Sequence, residues 1–349
     1  MQPIHSIQVL RALAAFMVAV HHVQPDAAIL AAQAGLPFAR NDVLPWMAGV
    51  DIFFVVSGFI MVHASQDLFG APGAALVFLK RRLARIVPLY WAMTSLFLLV
   101  GLAVPAALNS GAPSATQIIA SYLFWPVVSA QGLVQPVYSL GWTLNYEMLF
   151  YVLFAAGLLL PARSTLPMVA LVLAVLVGAE GPQGPLALPF GFWGQPIVLE
   201  FAAGMGIAVL RRKGFRLHGA WRIAVAAAGA AVLFAAAHGQ ETGGAWNVVL
   251  WRGGAAVLLV AAAACGRDRA APPAFPIRAL AAVGDASYAL YLVHPFVIRG
   301  LREAASRAGV LLPGLYIVLA LGGAVLAAML LHHSFEKPAT RLLRRWLGN

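Results

Sequence analysis

Apolar residues in this chain come in unbroken runs, many near twenty residues long, separated by short polar stretches. A strand with one wet face would alternate apolar and polar positions with period two, so continuous runs of this length predict helices. Roughly 20 apolar residues are needed to cross the hydrocarbon core of a bilayer. Only helices and closed barrels satisfy their backbone polar groups there. The pattern predicts ten spans, Ile7–Val23, Pro45–His63, Ile86–Val104, Ser139–Leu160, Leu166–Ala179, Pro196–Leu210, Ile223–Ala237, Val248–Cys265, Ser287–Arg302 and Gly314–His332. The fifth is short. Ile118–Val128 is apolar but too short to span, and reads as re-entrant or interfacial. The expected fold is therefore all-α, a polytopic integral membrane protein of about ten transmembrane helices.

Composition agrees. Hydrophobic residues make up 62% of the 349 positions and charged residues only 10%, against about 25% charged in a soluble domain. A net charge of +11 would fit nucleic acid in a soluble protein. Here the basic residues sit in the short connections, which makes them topology markers instead. With the N-terminus cytoplasmic, ten spans put 17 of the 23 Lys and Arg on the cytoplasmic side and 5 on the other, with Arg11 inside the first span. One miscounted helix would spoil that asymmetry, so it supports cytoplasmic N- and C-termini. The first span has no basic residue before Ile7 and carries histidines, and is read as retained rather than cleaved. The longest connection, Pro105 to Tyr138, falls on the outer side. The chain is expected to form one domain over 1–349, with no extra soluble domain. Its one cysteine excludes an internal disulfide.

Ionisable groups inside spans cost at least ~2.5–3.5 kcal/mol on insertion scales and are functional candidates by default. They are Arg11, His21, His22, Asp51, Glu147, Glu200, Arg252, His294, His332 and His333. Arg11 and His22 are eleven residues apart, which places them on one helical face roughly 16 Å apart along the axis. His21 lies off that face and reads as packing. Asp51, in "GVDIFFVVSGFIM", either orients an imidazole or caps an interfacial helix. In "FLKRRLARIVPLYW", Arg82 and Arg85 are three apart and share a face. They form either a phosphate clamp or a topology anchor. Glu147, in "YSLGWTLNYEMLFY", needs a partner, whether an arginine or the reaction itself. "SYALYLVHPF" puts Ser287, Tyr291 and His294 on one stripe, with Pro295 loosening the backbone. The tail "FEKPATRLLRR" reads as a cytoplasmic anchor. No GxSxG elbow, P-loop, HExxH or CxxC motif occurs, and no dedicated metal site is expected.

Five motifs in order resemble those of the acyltransferase 3 family. They are Arg11 with His22 after ten residues, the Gly-x-Asp-x-Phe-Phe-x-x-Ser-Gly-Phe run at Gly49, the Arg82–Arg85 pair, the Trp-Thr-Leu-x-x-Glu run at Trp142, and the Ser-Tyr-x-x-Tyr-Leu-x-His run at Ser287. Each is weak alone; the ordered set extends along nearly the whole chain. "WTLNYEMLFY" is similar to the exopolysaccharide O-acetyltransferase branch. The resemblance implies a multi-pass enzyme of the bacterial inner membrane. It would move an acetyl or other short acyl group from cytoplasmic acyl-CoA, typically acetyl-CoA, to a hydroxyl of a glycan or glycolipid acceptor, alongside polysaccharide-assembly proteins. It implies essential roles for His22 and Arg11 and for Arg82 and Arg85. Where the family often has Ser, this chain has Thr143, which keeps the hydroxyl.

The expected mechanism has Arg82, Arg85 and Arg11 holding the donor and His22 acting as general base, with Asp51, Glu147 and His294 as further catalytic residues. Asn145, Tyr291 and His294 are the candidate oxyanion donors. The competing reading is a proton-coupled transporter or flippase of a glycolipid, since intramembrane His, Asp and Glu make proton relays. No repeat pairs the two halves of the chain, as transporter folds often show.

Overall fold

A computed structural model describes residues 4–104, 112–181, 184, 186–240, 244–266 and 274–348. The described residues form helices and no strand, apart from one isolated bridge between Val128 and Val134. In chain order the helices are α1 (His5–Gln33), α2 (Ala48–Ala64), α3 (Ala74–Ala103), α4 (Ala115–Tyr122), α5 (Trp142–Gly157), α6 (Ala162–Glu180), α7 (Phe190–Trp193) and α8 (Leu199–Arg212). There follow α9 (Gly219–Ala235), α10 (Gly244–Val248), α11 (Gly254–Ala264), α12 (Phe275–Asp285), α13 (Ser287–Arg307), α14 (Pro313–Leu331) and α15 (Lys337–Trp346).

Every expected span overlaps one of these helices. Among the described residues, six stretches are long and apolar enough to cross a membrane, or seven if α12 and α13, bent by 72° at their junction, form one broken span. Helices α2, α5 and α8, at 17, 16 and 14 residues, fall short. Helices α5 and α8 are each extended at the start by a tight 3₁₀ turn, Ser139–Gly141 and Pro196–Val198. Helix α3 begins at Ala74 rather than near Ile86, so the basic cluster Lys80–Arg85 is helical and not a connection. Within the long connection, α4 overlaps the start of the short apolar stretch, and Ser114 caps its Gln117 N–H; residues 105–111 lie outside the description.

The chain divides into two compact units. The first comprises Met1–Ala64 and Ala203–His333. Its hub is α1, which packs against α2, α11, α12, α13 and α14. Small residues make this possible. Ala12, Ala14, Ala15, Ala19, Ala27 and Ala31 are all buried on α1. A side chain at Gly49 would collide with the Ala14 carbonyl, and one at Gly284 with the Gln8 carbonyl. Without a hydrophobic drive between helices in lipid, such close backbone approach supplies the packing. An ion pair between Arg302 Nη1 of α13 and Asp26 Oδ1 of α1, at 2.8 Å, fixes these two helices to each other. Two π-helical turns, Ala236–Gln240 after α9 and Val249–Gly253 before α11, interrupt the regular helices of this unit.

The second unit comprises Ser65–Ala202 and Ser334–Asn349. Here α3 packs against α5 and α15, and α5 against α6. Aromatic rings fill the contacts, with Phe150 stacked on Phe201 at 4.4 Å and Phe78 beside Phe154 at 5.1 Å between centroids. Helices α5 and α6 meet where the Thr165 hydroxyl donates to the Gly157 carbonyl at 2.7 Å.

Candidate active site

In the first unit, α1 and α13 bring two histidines together that are 272 residues apart in sequence. His22 Nδ1 lies 2.8 Å from the Val18 carbonyl, and His294 Nδ1 lies 2.9 Å from the Leu290 carbonyl. A carbonyl only accepts, so each ring carries its proton on Nδ1 and keeps its lone pair on Nε2. His294 Nε2 sits 3.2 Å from His22 Nδ1. The His22 N–H is therefore shared between the Val18 oxygen and the His294 lone pair, and His22 Nε2 is the basic atom left for chemistry. His294 is fully buried, whereas His22 is partly exposed.

The neighbouring helices hold this pair in place. Tyr291, one turn before His294, has its ring 6.3 Å from His294 and 6.3 Å from Phe53 of α2. Ser287 is buried at the start of α13, and its hydroxyl has no hydrogen-bond partner among the described residues. Pro25 and Pro295 have no N–H to give to the carbonyls four residues back, those of His21 and Tyr291. Asp51 is fully buried and pairs with Arg252, Oδ2 to Nε at 3.3 Å. Arg252 reaches it from the π-helical turn before α11. Arg11 is on α1, donating to Gln8 Oε1 at 2.9 Å.

The second unit holds a separate cluster. The Arg82 guanidinium stands 5.5 Å from the centre of the Phe78 ring. Tyr151 donates to Glu147 Oε1 at 2.5 Å, and its ring is 6.0 Å from Phe78. Arg85, Glu147, Tyr151 and Arg344 all lie within electrostatic range of Arg82, and Arg81 and Arg85 within that of Arg344. Several guanidiniums thus converge with one carboxylate among them, and the buried Arg82 Nε has no hydrogen-bond partner among the described residues. Arginine forks suit phosphate oxygens. Buried Asn145, on α5, has its Oδ1 without a partner among the described residues. Thr143 donates to the Leu140 carbonyl at 3.2 Å.

The same motifs decide the family. The model of the acyltransferase 3 family, described as an acyltransferase domain, matches residues 4–333. The chain belongs to the acyltransferase 3 family. A curated relative, the exopolysaccharide production protein ExoZ of Rhizobium meliloti (strain 1021), is 34% identical over 313 residues, covering 85% of this chain and 90% of that protein. No solved structure matches.

The two clusters differ in composition, paired imidazoles in one unit and several guanidiniums with one carboxylate in the other. Among the described residues, no three His, Cys, Asp or Glu side chains are grouped to hold a metal ion. The surroundings of three residues were not legible in the sequence. Arg344 was assigned to an anchor, although its basic stretch in the tail was visible. Arg252 stood among the intramembrane charges without a partner. His21, assigned to packing, lines an open cleft with Arg40, Asp42, Trp46 and Arg252.

Proposed function

We propose that this protein is an O-acyltransferase that moves an acetyl or similarly short acyl group from acyl-CoA to a hydroxyl of an exopolysaccharide or its lipid-linked precursor. It would act as one domain in the bacterial inner membrane, with ten spans and both termini cytoplasmic. Membership in an acyltransferase family supports the reaction class, and the name of the ExoZ relative supports the acceptor class. The 17-to-5 distribution of basic residues supports the orientation.

His22 Nε2 takes the proton from the acceptor hydroxyl as its oxygen attacks the thioester carbonyl. The new C–O bond forms, the C–S bond breaks, and the proton passes from His22 to the departing thiolate. A positioned base of this kind contributes typically 10²–10⁴-fold. The imidazolium formed in between carries its charge partly on Nδ1–H, where Val18 and His294 accept from it. His294 is thus a positioning residue behind His22 rather than an oxyanion donor. Asp51 acts through Arg252. Arg82 and Arg85, joined by Arg344, bind the donor phosphates, Glu147 with Tyr151 holds that arginine cluster in place, and Arg11 contributes on the His22 face of α1. The observation that carries the reading is the paired imidazoles, with one tautomer selected and one Nε2 left basic.

The test is purified protein in lipid, given radiolabelled acetyl-CoA and total glycolipid from a host lacking the gene, beside a His22→Ala variant. Alkali-labile label in glycolipid is expected only with the unmutated protein. Absence of both label and CoA binding would overturn the proposal and bring the transporter reading forward.

A further inference from the structure

The cleft beside His21 has a volume of about 390 Å³, within the range of small-molecule sites. Its walls come from four places in the first unit, of which α1 supplies His21. The segment before α2 supplies Arg40, Asp42, Leu44, Pro45, Trp46 and Met47. The π-helical turn after α9 supplies Ala236 and Ala237, and the one before α11 supplies Arg252. Such turns re-aim side chains out of helical register and gather at functional sites.

The loop wall is held firmly. Buried Gln24 of α1 accepts from Asn41 N–H at 2.6 Å and donates to the Asn41 carbonyl at 3.2 Å. Trp46 Nε1 donates to that same carbonyl at 2.6 Å. The indole nitrogen is thus spent on the loop, and the ring is left half-buried at the cleft. Arg40 and Asp42 face each other loosely at 3.9 Å, and Arg252 is anchored from below by Asp51 at 3.3 Å. Arg40, Arg252 and Asp42 all lie within electrostatic range of His21.

We infer that this cleft is the acceptor subsite, binding an uncharged sugar residue of the glycan that receives the acyl group. This rests on the acyltransfer reading above. The chemistry of the walls selects the ligand. Arg40 faces Asp42 across the cleft, and Arg252 is paired with Asp51, which is buried outside the lining, so the two arginines make no cradle for a CoA phosphate. Arg40, Asp42 and Arg252, with His21 beside them, make the lining too polar for a lipid tail. A sugar ring presents C–H groups on its faces, which suit the negative face of an indole. Its rim of hydroxyls both donates and accepts, which suits alternating guanidinium and carboxylate groups with charge-assisted bonds. Position agrees as well. The His21 ring lies edge-on to the His22 ring at 5.1 Å, so a sugar in the cleft stands one imidazole away from the proposed base.

The test uses the full chain in lipid nanodiscs and a deacylated oligosaccharide from the producing cell's own exopolysaccharide. Binding is measured by calorimetry, and acceptor and donor KM by transfer from acetyl-CoA. Trp46→Ala and Arg40→Ala are expected to weaken oligosaccharide binding and raise acceptor KM by tenfold or more, with donor KM within twofold. Trp46→Tyr, which keeps an aromatic face, should stay within about threefold of the unmutated protein. An unchanged donor KM excludes misfolding. Active protein whose acceptor KM ignores Trp46 and Arg40 would overturn the subsite and leave the acyltransferase standing. Oligosaccharide binding that depends on Trp46, with no acyl transfer from any CoA thioester, would leave the subsite standing and sink the reaction. Failure of the unmutated protein to bind the oligosaccharide at all would overturn the subsite directly.

Discussion

Replacing His294 by Phe keeps a flat ring in a fully buried position and removes the acceptor that lies 3.2 Å from His22 Nδ1. The ground state loses little, because Val18 still accepts the His22 proton at 2.8 Å. The loss falls on the transition state, when His22 becomes charged. A hydrogen bond to a charged group is worth about 1.5–3 kcal/mol. The remaining bond to Val18 retains part of the stabilisation, so the lower end applies, about 1.5–2 kcal/mol. At 1.36 kcal/mol per decade, kcat should fall roughly 10- to 30-fold with donor and acceptor KM nearly unchanged. Loss of kcat without change in KM marks an interaction made only in the transition state. His294→Gln, whose amide oxygen accepts a hydrogen bond, should recover most of the rate. Steady-state transfer of label from acetyl-CoA, on monodisperse protein in lipid, reads all three. A His294→Phe variant within threefold of the unmutated kcat, or one that changes KM instead, would refute the shared-proton arrangement.

Arg85→Ala should raise donor KM by about tenfold or more, the scale of one charge-assisted bond to phosphate, with kcat less affected. Arg82→Lys should not rescue Arg82→Ala, because an ammonium cannot replace a fork stacked against Phe78. Asp51→Leu leaves Arg252 without its buried partner and should lower stability by about 3 kcal/mol, near the low end for breaking a buried pair because Arg252 keeps 19% side-chain exposure. The double variant Asp51→Leu with Arg252→Met should regain most of it in a thermal unfolding series in detergent, and simple additivity would refute the coupling. Gly284→Leu drives a side chain into the Gln8 backbone where α12 crosses α1. Overpacking of about 1–3 kcal/mol should lower the unfolding temperature, whereas Gly300→Leu, with open space around it, should not.

Helical period alone placed Arg11 and His22 on one face of α1, since that relation is local and repeats every turn. It likewise placed Ser287, Tyr291 and His294 on one stripe, and all three are buried on α13. The start of α3 was misjudged because the dense charge of Lys80–Arg85 reads as a connection, whereas α15 and the Glu147–Tyr151 pair of α5 give those charges a place beside a helix. The span expected from Ser287 starts where α13 does, whereas α12 before it, bent from α13 by 72°, was not among the expected spans.

The sequence by itself determined the helical class, the placement of most spans, the family and the set of ionisable groups that demanded explanation. Each follows from short-range periodicity or from the cost of charge in hydrocarbon, and neither needs a partner to be known. Only the tertiary structure decided which groups meet. His22 finds His294 across 272 positions, Asp51 finds Arg252 from a distant segment of the chain, and His21, packed edge-on against His22, also lines a cleft. Helix pairing sets these contacts, and helix pairing depends on which small residues let two backbones approach. Any glycine or alanine along an apolar run could do so, and the runs alone do not choose among them.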